Sequence, residues 1–338
     1  MKAARLHEYG KPLQIDDIPI PEVKSGEVLV RIAGAYVCSS DLHLISGVAP
    51  VARLPLTLGH NNAGYIEKLG PGVTNLKEGE PVAVFGGWGC GHCRFCRQGE
   101  EQLCNMMTWV GFGVDGGYAQ YLHVPAQRHL IKLIGLEPAE AAPLVDAGLT
   151  PYRAIKKTLP YLYPGSVAVI IGVGNLGCFA VQIMKAISPG SRVIAVDVTD
   201  YSLQLASELG ADYVVDARGD AADEIRQLTG EEGAQAIIDT VGIDDTLKTA
   251  VTVAARKSII VLVGVAGGTL PYSFLGLPSE CVVTNSVWGS YTELEEVLAL
   301  AVDGKVQARI RRFPLEDINE VLHLLEKGQI LGQAVITP

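Results

Sequence analysis

The sequence predicts an α/β protein in two parts, a mostly antiparallel β domain and a doubly wound parallel sheet. Three observations predict it. At 338 residues the chain exceeds what one hydrophobic core usually organises, so two domains are expected. Near residue 150 the rhythm changes from short strands between Gly and Pro to strands alternating with helical periods. And in residues 166–197 a β-branched apolar run, three glycines, a helical stripe and a second strand follow one another.

That last stretch organises the rest. Residues 167–171 are continuously apolar, as in a strand buried on both faces. Gly172, Gly174 and Gly177 then occupy G-x-G-x-x-G spacing: the first for a tight reversal, the second for close approach of a pyrophosphate, the third for helix–strand packing. Leu176, Phe179, Ala180, Ile183, Met184 and Ile187 recur at helical spacing, and a helix starting there points its unpaired N–H groups at the phosphates. Residues 193–196 form a second strand closed by Asp197, the distance at which an acid takes the ribose hydroxyls. No Arg or Lys occurs in 198–203 to hold a 2′-phosphate, which indicates NAD. A structural glycine turn would explain the glycines alone; it does not explain the strand, helix and acid around them.

Further strands at 213–215, 236–239, 259–263 and 282–287, with helices at 201–209, 221–228 and 245–253, complete a six-stranded sheet over residues 151–289. Residues 1–150 read as the β domain, with strands such as 28–32, 64–68 and 81–85. After Gly289 come a helix (293–302), a strand (310–313), a helix (315–327) and a final strand (333–336). This tail, 290–338, is expected to return to and complete the first domain, leaving the nucleotide domain as an insertion with a hinge at each end.

A net charge of −10 and a pI near 5.2 argue against nucleic acid or an anionic membrane surface as the main partner. Residues 1–12 lack the apolar core of a secretory signal, and no apolar run approaches the length of a membrane span. Seven cysteines in such a chain suggest a reducing compartment, and a cytoplasmic location is expected.

Four of those cysteines, Cys90, Cys93, Cys96 and Cys104, lie in a loop rich in glycine. Four thiolates close a tetrahedron around Zn²⁺, and a saturated Cys₄ site is structural, pinning a lobe too short for its own core. The alternatives are an iron–sulfur cluster, whose pattern is usually followed by Pro, and two disulfides, which suit another compartment. Cys178 and Cys281 read as small buried hydrophobes.

Elsewhere the first domain offers Cys38-Ser39-Ser40-Asp41-Leu42-His43, then Gly59-His60, then Asp146-Ala147-Gly148-Leu149-Thr150-Pro151-Tyr152. Taken singly, each has a bland explanation as a buried Cys, a capping Ser, a core His or a helix-cap Asp. Together with the cysteine lobe and Gly172-Val173-Gly174-Asn175-Leu176-Gly177, they resemble the zinc-containing alcohol dehydrogenases of the medium-chain dehydrogenase/reductase family. The resemblance covers essentially the whole chain and is strongest to bacterial and archaeal secondary-alcohol dehydrogenases, because the third catalytic ligand is Asp instead of Cys.

The resemblance implies a GroES-like catalytic domain and a Rossmann domain. It implies that Cys38, His60 and Asp146 bind a catalytic Zn²⁺ with one place left for the substrate oxygen, giving two zincs per subunit with the Cys lobe. Ser40 would take the alcohol proton and pass it toward His43, and Asp41 would hold the second nitrogen of His60. Asn175 and Leu176 would join the glycines at the cofactor, with Val263, Val265 and Trp288 near the nicotinamide and Trp88 facing the substrate. Trp109 is expected in core or subunit packing. The family's Glu after Gly-His is Asn61 here, which removes a negative charge behind the metal and predicts a more electrophilic ion with slower ligand exchange.

The expected activity is hydride transfer between NAD and a small secondary or aromatic alcohol, giving the ketone or aldehyde. A polyol dehydrogenase is the alternative on the same scaffold, opposed by Val48, Ala49, Val51 and Leu54 near the expected pocket. A zinc-free quinone-type reductase or nucleotide-binding protein is the alternative of another class. A homo-oligomer is expected from the resemblance, a tetramer or else a dimer, with the edge of the nucleotide-domain sheet as a contact.

Overall fold

The computed structural model describes residues 1–338 apart from Pro50, Ala52 and the side chain of Glu231. The chain forms two compact units: Met1–Asp146 with Ser290–Val302 and Ala308–Pro338, and Ala147–Gly289 with Asp303–Gln307.

The first unit is the mostly antiparallel one. Its largest sheet runs, in order, Leu130–Lys132, Pro81–Val84, Asn61–Leu69, Val28–Tyr36, Gln333–Thr337 and Ile310–Pro314, with Tyr121–Val124 also paired to Val28–Tyr36. Only the pairing of Ile310–Pro314 with Gln333–Thr337 is parallel. The tail therefore adds its last strand directly to the longest strand of the N-terminal half. Val28, Val30, Ile32, Ile66, Val82, Leu122 and Ile336 are all buried in one core, as alternation across a sheet with one face covered requires.

The register of the two long strands positions the chemistry. Tyr36 pairs with Asn61, so the residue two beyond the first strand, Cys38, and the residue just before the second, His60, leave the sheet at the same end. Gly59 lies immediately before His60 with φ of 95°, and a Cβ there would sit 2.7 Å from the Tyr118 backbone N and ring. Only glycine turns the chain at that point. Helix Ser39–Ser46 follows Cys38 and buries Asp41 and Leu44, while Ser40 and His43, three residues apart, share its other side.

The second unit is a six-stranded parallel sheet in the order Tyr213–Asp216, Arg192–Asp197, Val167–Ile171, Ala234–Asp239, Ala254–Leu262, Val282–Asn285, which is third, second, first, fourth, fifth, sixth along the chain. That is the dinucleotide-binding order, with its crevice at the ends of the first and fourth strands. All five residues of Val167–Ile171 are buried, as the uninterrupted apolar run demands. Helix Gly177–Ile187 buries eight consecutive residues at its start. Among the described residues no helix is long and apolar enough to cross a membrane.

Element boundaries differ from expectation by a few residues, with one substantive change. The last helix is Ile318–Glu326, and Leu315–Asp317 before it forms a separate 3₁₀ turn behind Pro314. Apolar periodicity alone runs through such a turn without marking it.

Candidate active site

In the first unit the side chains of Cys38, His60 and Asp146 converge, with one ligand atom from each lying within 4.8 Å of the others. Cys38 Sγ is 3.9 Å and His60 Nε2 3.3 Å from Asp146 Oδ2. Asp146 reaches the group from the end of the 3₁₀ turn Ala142–Val145, over a hundred residues from Cys38. His60 is 3 % exposed, and neither ring nitrogen has a well-formed hydrogen bond among the described residues. Burial disfavours a charged His60, yet the Asp41 and Asp146 carboxylates hold it well above its ordinary pKa; the surroundings are built to keep positive charge at this spot. A thiol, an imidazole and a carboxylate around an orphaned buried Nε2 fit Zn²⁺, three protein ligands being the set of a catalytic site.

Asp41 stands behind His60. Its Oδ1 is 3.3 Å from His60 Nδ1, and its Oδ2 accepts from the Cys38 backbone N–H at 3.0 Å and from the Tyr118 hydroxyl at 2.6 Å. One carboxylate thus ties two candidate ligands together. Ser40 Oγ lies 3.6 Å from Cys38 Sγ, half-buried, and His43 is exposed one turn further on. Asn61 is fully buried, and both atoms of its amide lack hydrogen-bond partners among the described residues.

Aromatic groups flank His60. Phe112 meets its ring edge-on at 4.9 Å, and Trp109 meets Phe112 at 5.5 Å. Trp109, Phe112, Met107, Thr108 and Gly113 line an open, mainly apolar concavity of about 540 Å³. Trp88, expected to face the substrate, is instead 7 % exposed: its indole N–H is spent on the Phe85 carbonyl at 2.9 Å and its ring stacks on His129. Trp109, expected in packing, is half-buried and packs on Phe112. The sequence could not rank the two, since both flank the cysteine lobe. Phe112 and Tyr118 were missed; the only signal for Tyr118 was the Gly116-Gly117 pair before it.

Cys90, Cys93, Cys96 and Cys104 also place their sulfurs within 4.8 Å of one another. Backbone N–H groups of Cys90, Cys93, Cys96 and Met106 point at these sulfurs at 3.3–3.5 Å. The His92 and Cys93 N–H groups push the Cys90 thiol down to about 6, while burial pushes Cys96 up to about 12. Four sulfurs this close do not ionise together without a cation between them, and the Cys₄ set fits structural zinc. All seven cysteines are free of disulfides. Cys178 and Cys281 are buried.

In the second unit, the glycine turn has the form a pyrophosphate needs. A Cβ on Gly177 would lie 1.8 Å from the Gly172 carbonyl oxygen, and one on Gly172, whose φ is 86°, would strike Val241. Gly174 is exposed with open space beside it, the cradle a dinucleotide fills. Asp197 ends its strand with Oδ2 accepting from Val173 N–H at 2.7 Å and Oδ1 from Val198 and Thr199 N–H. Asp239, which sequence reasoning passed over, ends the fourth strand in the same way, accepting from Val241, Gly242 and Thr246. Val263 is half-buried, Val265 80 % exposed, and Trp288 is buried with φ of 44°.

Comparison with known proteins bears on this geometry. Residues 24–134 match the alcohol dehydrogenase GroES-like domain and residues 175–303 the zinc-binding dehydrogenase domain. An NAD-dependent alcohol dehydrogenase of Sulfurisphaera tokodaii is 40% identical, with 100% of each chain covered. The chain belongs to the zinc-binding alcohol dehydrogenase family. The crystal structure of the alcohol dehydrogenase from Aeropyrum pernix superposes with a TM-score of 0.93 at 42% identity, covering 100% of both chains. A Saccharolobus solfataricus relative named D-arabinose 1-dehydrogenase (NADP(+)) is 37% identical over 100% of this chain and 97% of its own. This dehydrogenase is an enzyme of NAD-linked alcohol oxidation, and its cofactors are zinc and NAD. Its fold is the GroES-like and Rossmann pair that the sequence predicted.

Proposed function

We propose that the dehydrogenase interconverts a secondary or aromatic alcohol with its ketone or aldehyde, and that the reaction takes place at Cys38, His60 and Asp146. The convergence of those three side chains carries the reading. They hold a zinc ion whose Lewis acidity, when it is bound, favours the alkoxide form of an alcohol. The thiolate and carboxylate balance the ion's two charges. Asp41 faces His60 Nδ1 and favours the tautomer with the proton on that nitrogen, which leaves the Nε2 lone pair facing Asp146. Ser40 relays the hydroxyl proton, receiving it as its own Oγ–H is released toward His43, which is exposed and returns a proton to solvent. Cys90, Cys93, Cys96 and Cys104 hold a second, structural zinc, for two per subunit.

Residues 1–150 and 290–338 serve as the catalytic domain and residues 151–289 as the NAD domain. Gly172, Gly174, Asn175, Leu176 and Gly177 receive the pyrophosphate, Asp197 the adenosine ribose, and Val263 and Val265 the nicotinamide side. A cytoplasmic tetramer is the assembly proposed, with the edge strand Val282–Asn285 in a subunit contact.

The apolar concavity lined by Trp109 and Phe112, the latter in contact with His60, supports a substrate with a hydrocarbon or aromatic body. The sugar dehydrogenase among the relatives supports a polyol instead. An NAD⁺-coupled panel of secondary, primary and polyhydric alcohols, with and without chelator, separates the two. Cys38→Ser is expected to abolish turnover while leaving NADH affinity within about twofold; robust turnover in that variant removes the metal role. Zinc analysis is expected to return two ions per subunit, and a single ion means that only the cysteine lobe is loaded.

A further inference from the structure

The absence of a cation after Asp197 in the chain does not mean that none is nearby. The sheet pairs Asp197 with Asp216 on the adjacent strand, and Ala217 N–H bonds the Asp197 carbonyl at 2.9 Å. Arg218 is the next residue. Its guanidinium is held from two sides: Nε and Nη2 contact both oxygens of Asp216 at 2.6–2.9 Å, and Nη2 also bonds Asp200, the first residue of the helix that begins three positions after Asp197. The Arg218 backbone N–H adds a bond to Asp216 Oδ1 at 2.9 Å. Parallel pairing has thus brought a cation to the mouth of the strand pair where Asp197 sits, and two carboxylates occupy it.

We propose that Arg218 is a specificity-determining residue for the coenzyme: clamped by Asp200 and Asp216, it is withheld from a 2′-phosphate, and the clamp together with Asp197 makes the dehydrogenase select NAD over NADP. The inference rests on the reading that Asp197 faces the adenosine ribose. A 2′-phosphate at that ribose meets three carboxylates, those of Asp197, Asp200 and Asp216, and a guanidinium whose Nε and Nη2 donors are engaged by two of them. Single exposed ion pairs hold little, but a bidentate contact shared with a second carboxylate is the arrangement in which they do. Arg218 also keeps the Asp216 carboxyl below its usual range. With one or both carboxylates neutralised, the fork is free to accept a phosphate, the anion it matches best.

The test is equilibrium binding of NADPH and NADH to the zinc-loaded enzyme, followed by nicotinamide fluorescence, with no turnover required. Asp200→Asn/Asp216→Asn is expected to tighten NADPH by about tenfold, the worth of one charge-assisted phosphate contact, and to leave NADH within about twofold. Adding Arg218→Ala to that double variant is expected to remove the gain. An unchanged NADPH affinity in the double variant overturns the proposal. So does a gain that survives Arg218→Ala, because the effect is then only the loss of negative charge. The underlying reading has its own readout: Asp197→Ser weakens NADH by about tenfold if Asp197 holds the ribose, so its failure is visible separately.

Discussion

The Tyr118 hydroxyl donates to Asp41 Oδ2 at 2.6 Å, across 77 residues of chain and with both side chains fully buried. Asp41 in turn faces His60, so the Tyr118 hydroxyl bears on the candidate metal site through the carboxylate it orients. Burial and the neighbouring Asp41 charge push the Tyr118 phenol well above its ordinary range, so it stays a donor. Tyr118→Phe leaves Asp41 Oδ2 with the Cys38 N–H alone. Zinc release to a chelator is expected to quicken by roughly tenfold, with turnover restored by added zinc. An unaltered release rate would show that Tyr118 only fills space.

Asn61 occupies a fully buried position with no hydrogen-bond partner for its side-chain amide among the described residues. Asn61→Glu puts a carboxylate beside His60 and is expected to hold zinc more tightly and to change turnover, read by metal analysis and steady-state rates. Equal retention and equal rates in the two proteins would leave Asn61 without a kinetic role.

Phe112 packs against His60, and Trp109 packs on Phe112. Trp109→Ala is expected to lower kcat/KM for aryl-substituted secondary alcohols by about tenfold or more, on the order of the area an indole buries, and to spare the smallest substrates. A uniform loss across substrate sizes would place Trp109 in packing.

His129 is 1 % exposed, stacked on Trp88, and burial with the nearby Arg128 pushes it down to about 3. Glu101 Oε2, at 3.8 Å from Nδ1, is too distant to offset that. Between about 3 and the ordinary histidine value near 6.5 the unfolded chain binds a proton that the folded chain refuses, so this residue's stabilising contribution is complete above about 6.5 and lost as pH falls toward 3. His129→Phe is expected to move the acid-unfolding midpoint to lower pH, measured by circular dichroism. A midpoint that stays in place or rises would contradict the assignment.

Cys93→Ser breaks the four-sulfur set while leaving Cys38, His60 and Asp146 intact. One zinc per subunit is expected to be lost and the melting temperature to fall, because the lobe has no core of its own to replace the ion: helix Arg94–Arg97 buries no residue. Full zinc content in the variant would exclude a Cys₄ site.

Legibility in the sequence followed the range of the interaction. The cysteine lobe and the glycine turn were readable because their parts lie within about fifteen residues, where spacing alone restricts geometry. The inner strands were readable because burial on both faces forces apolar runs, whereas the edge strands Tyr213–Asp216 and Val282–Asn285 are largely uncovered and were placed by their spacing in the alternation. Cys38, His60 and Asp146 were reached by resemblance. What unites the first two physically is the pairing of Tyr36 with Asn61, which no local pattern displays. Both Trp88 and Trp109 pack on a ring, His129 and Phe112 respectively, partners that composition does not name.

By itself, then, the sequence determined the fold class, the dinucleotide turn and the thiolate lobe, each a matter of periodicity or short spacing along one chain. Tertiary structure alone decided that Tyr118 stands behind Asp41, that Phe112 walls His60, and that Arg218 arrives beside Asp197 from the neighbouring strand. Those contacts depend on sheet register and on loops meeting across the fold. Register is a cooperative property of whole strands, so it is absent from any window of sequence short enough to read.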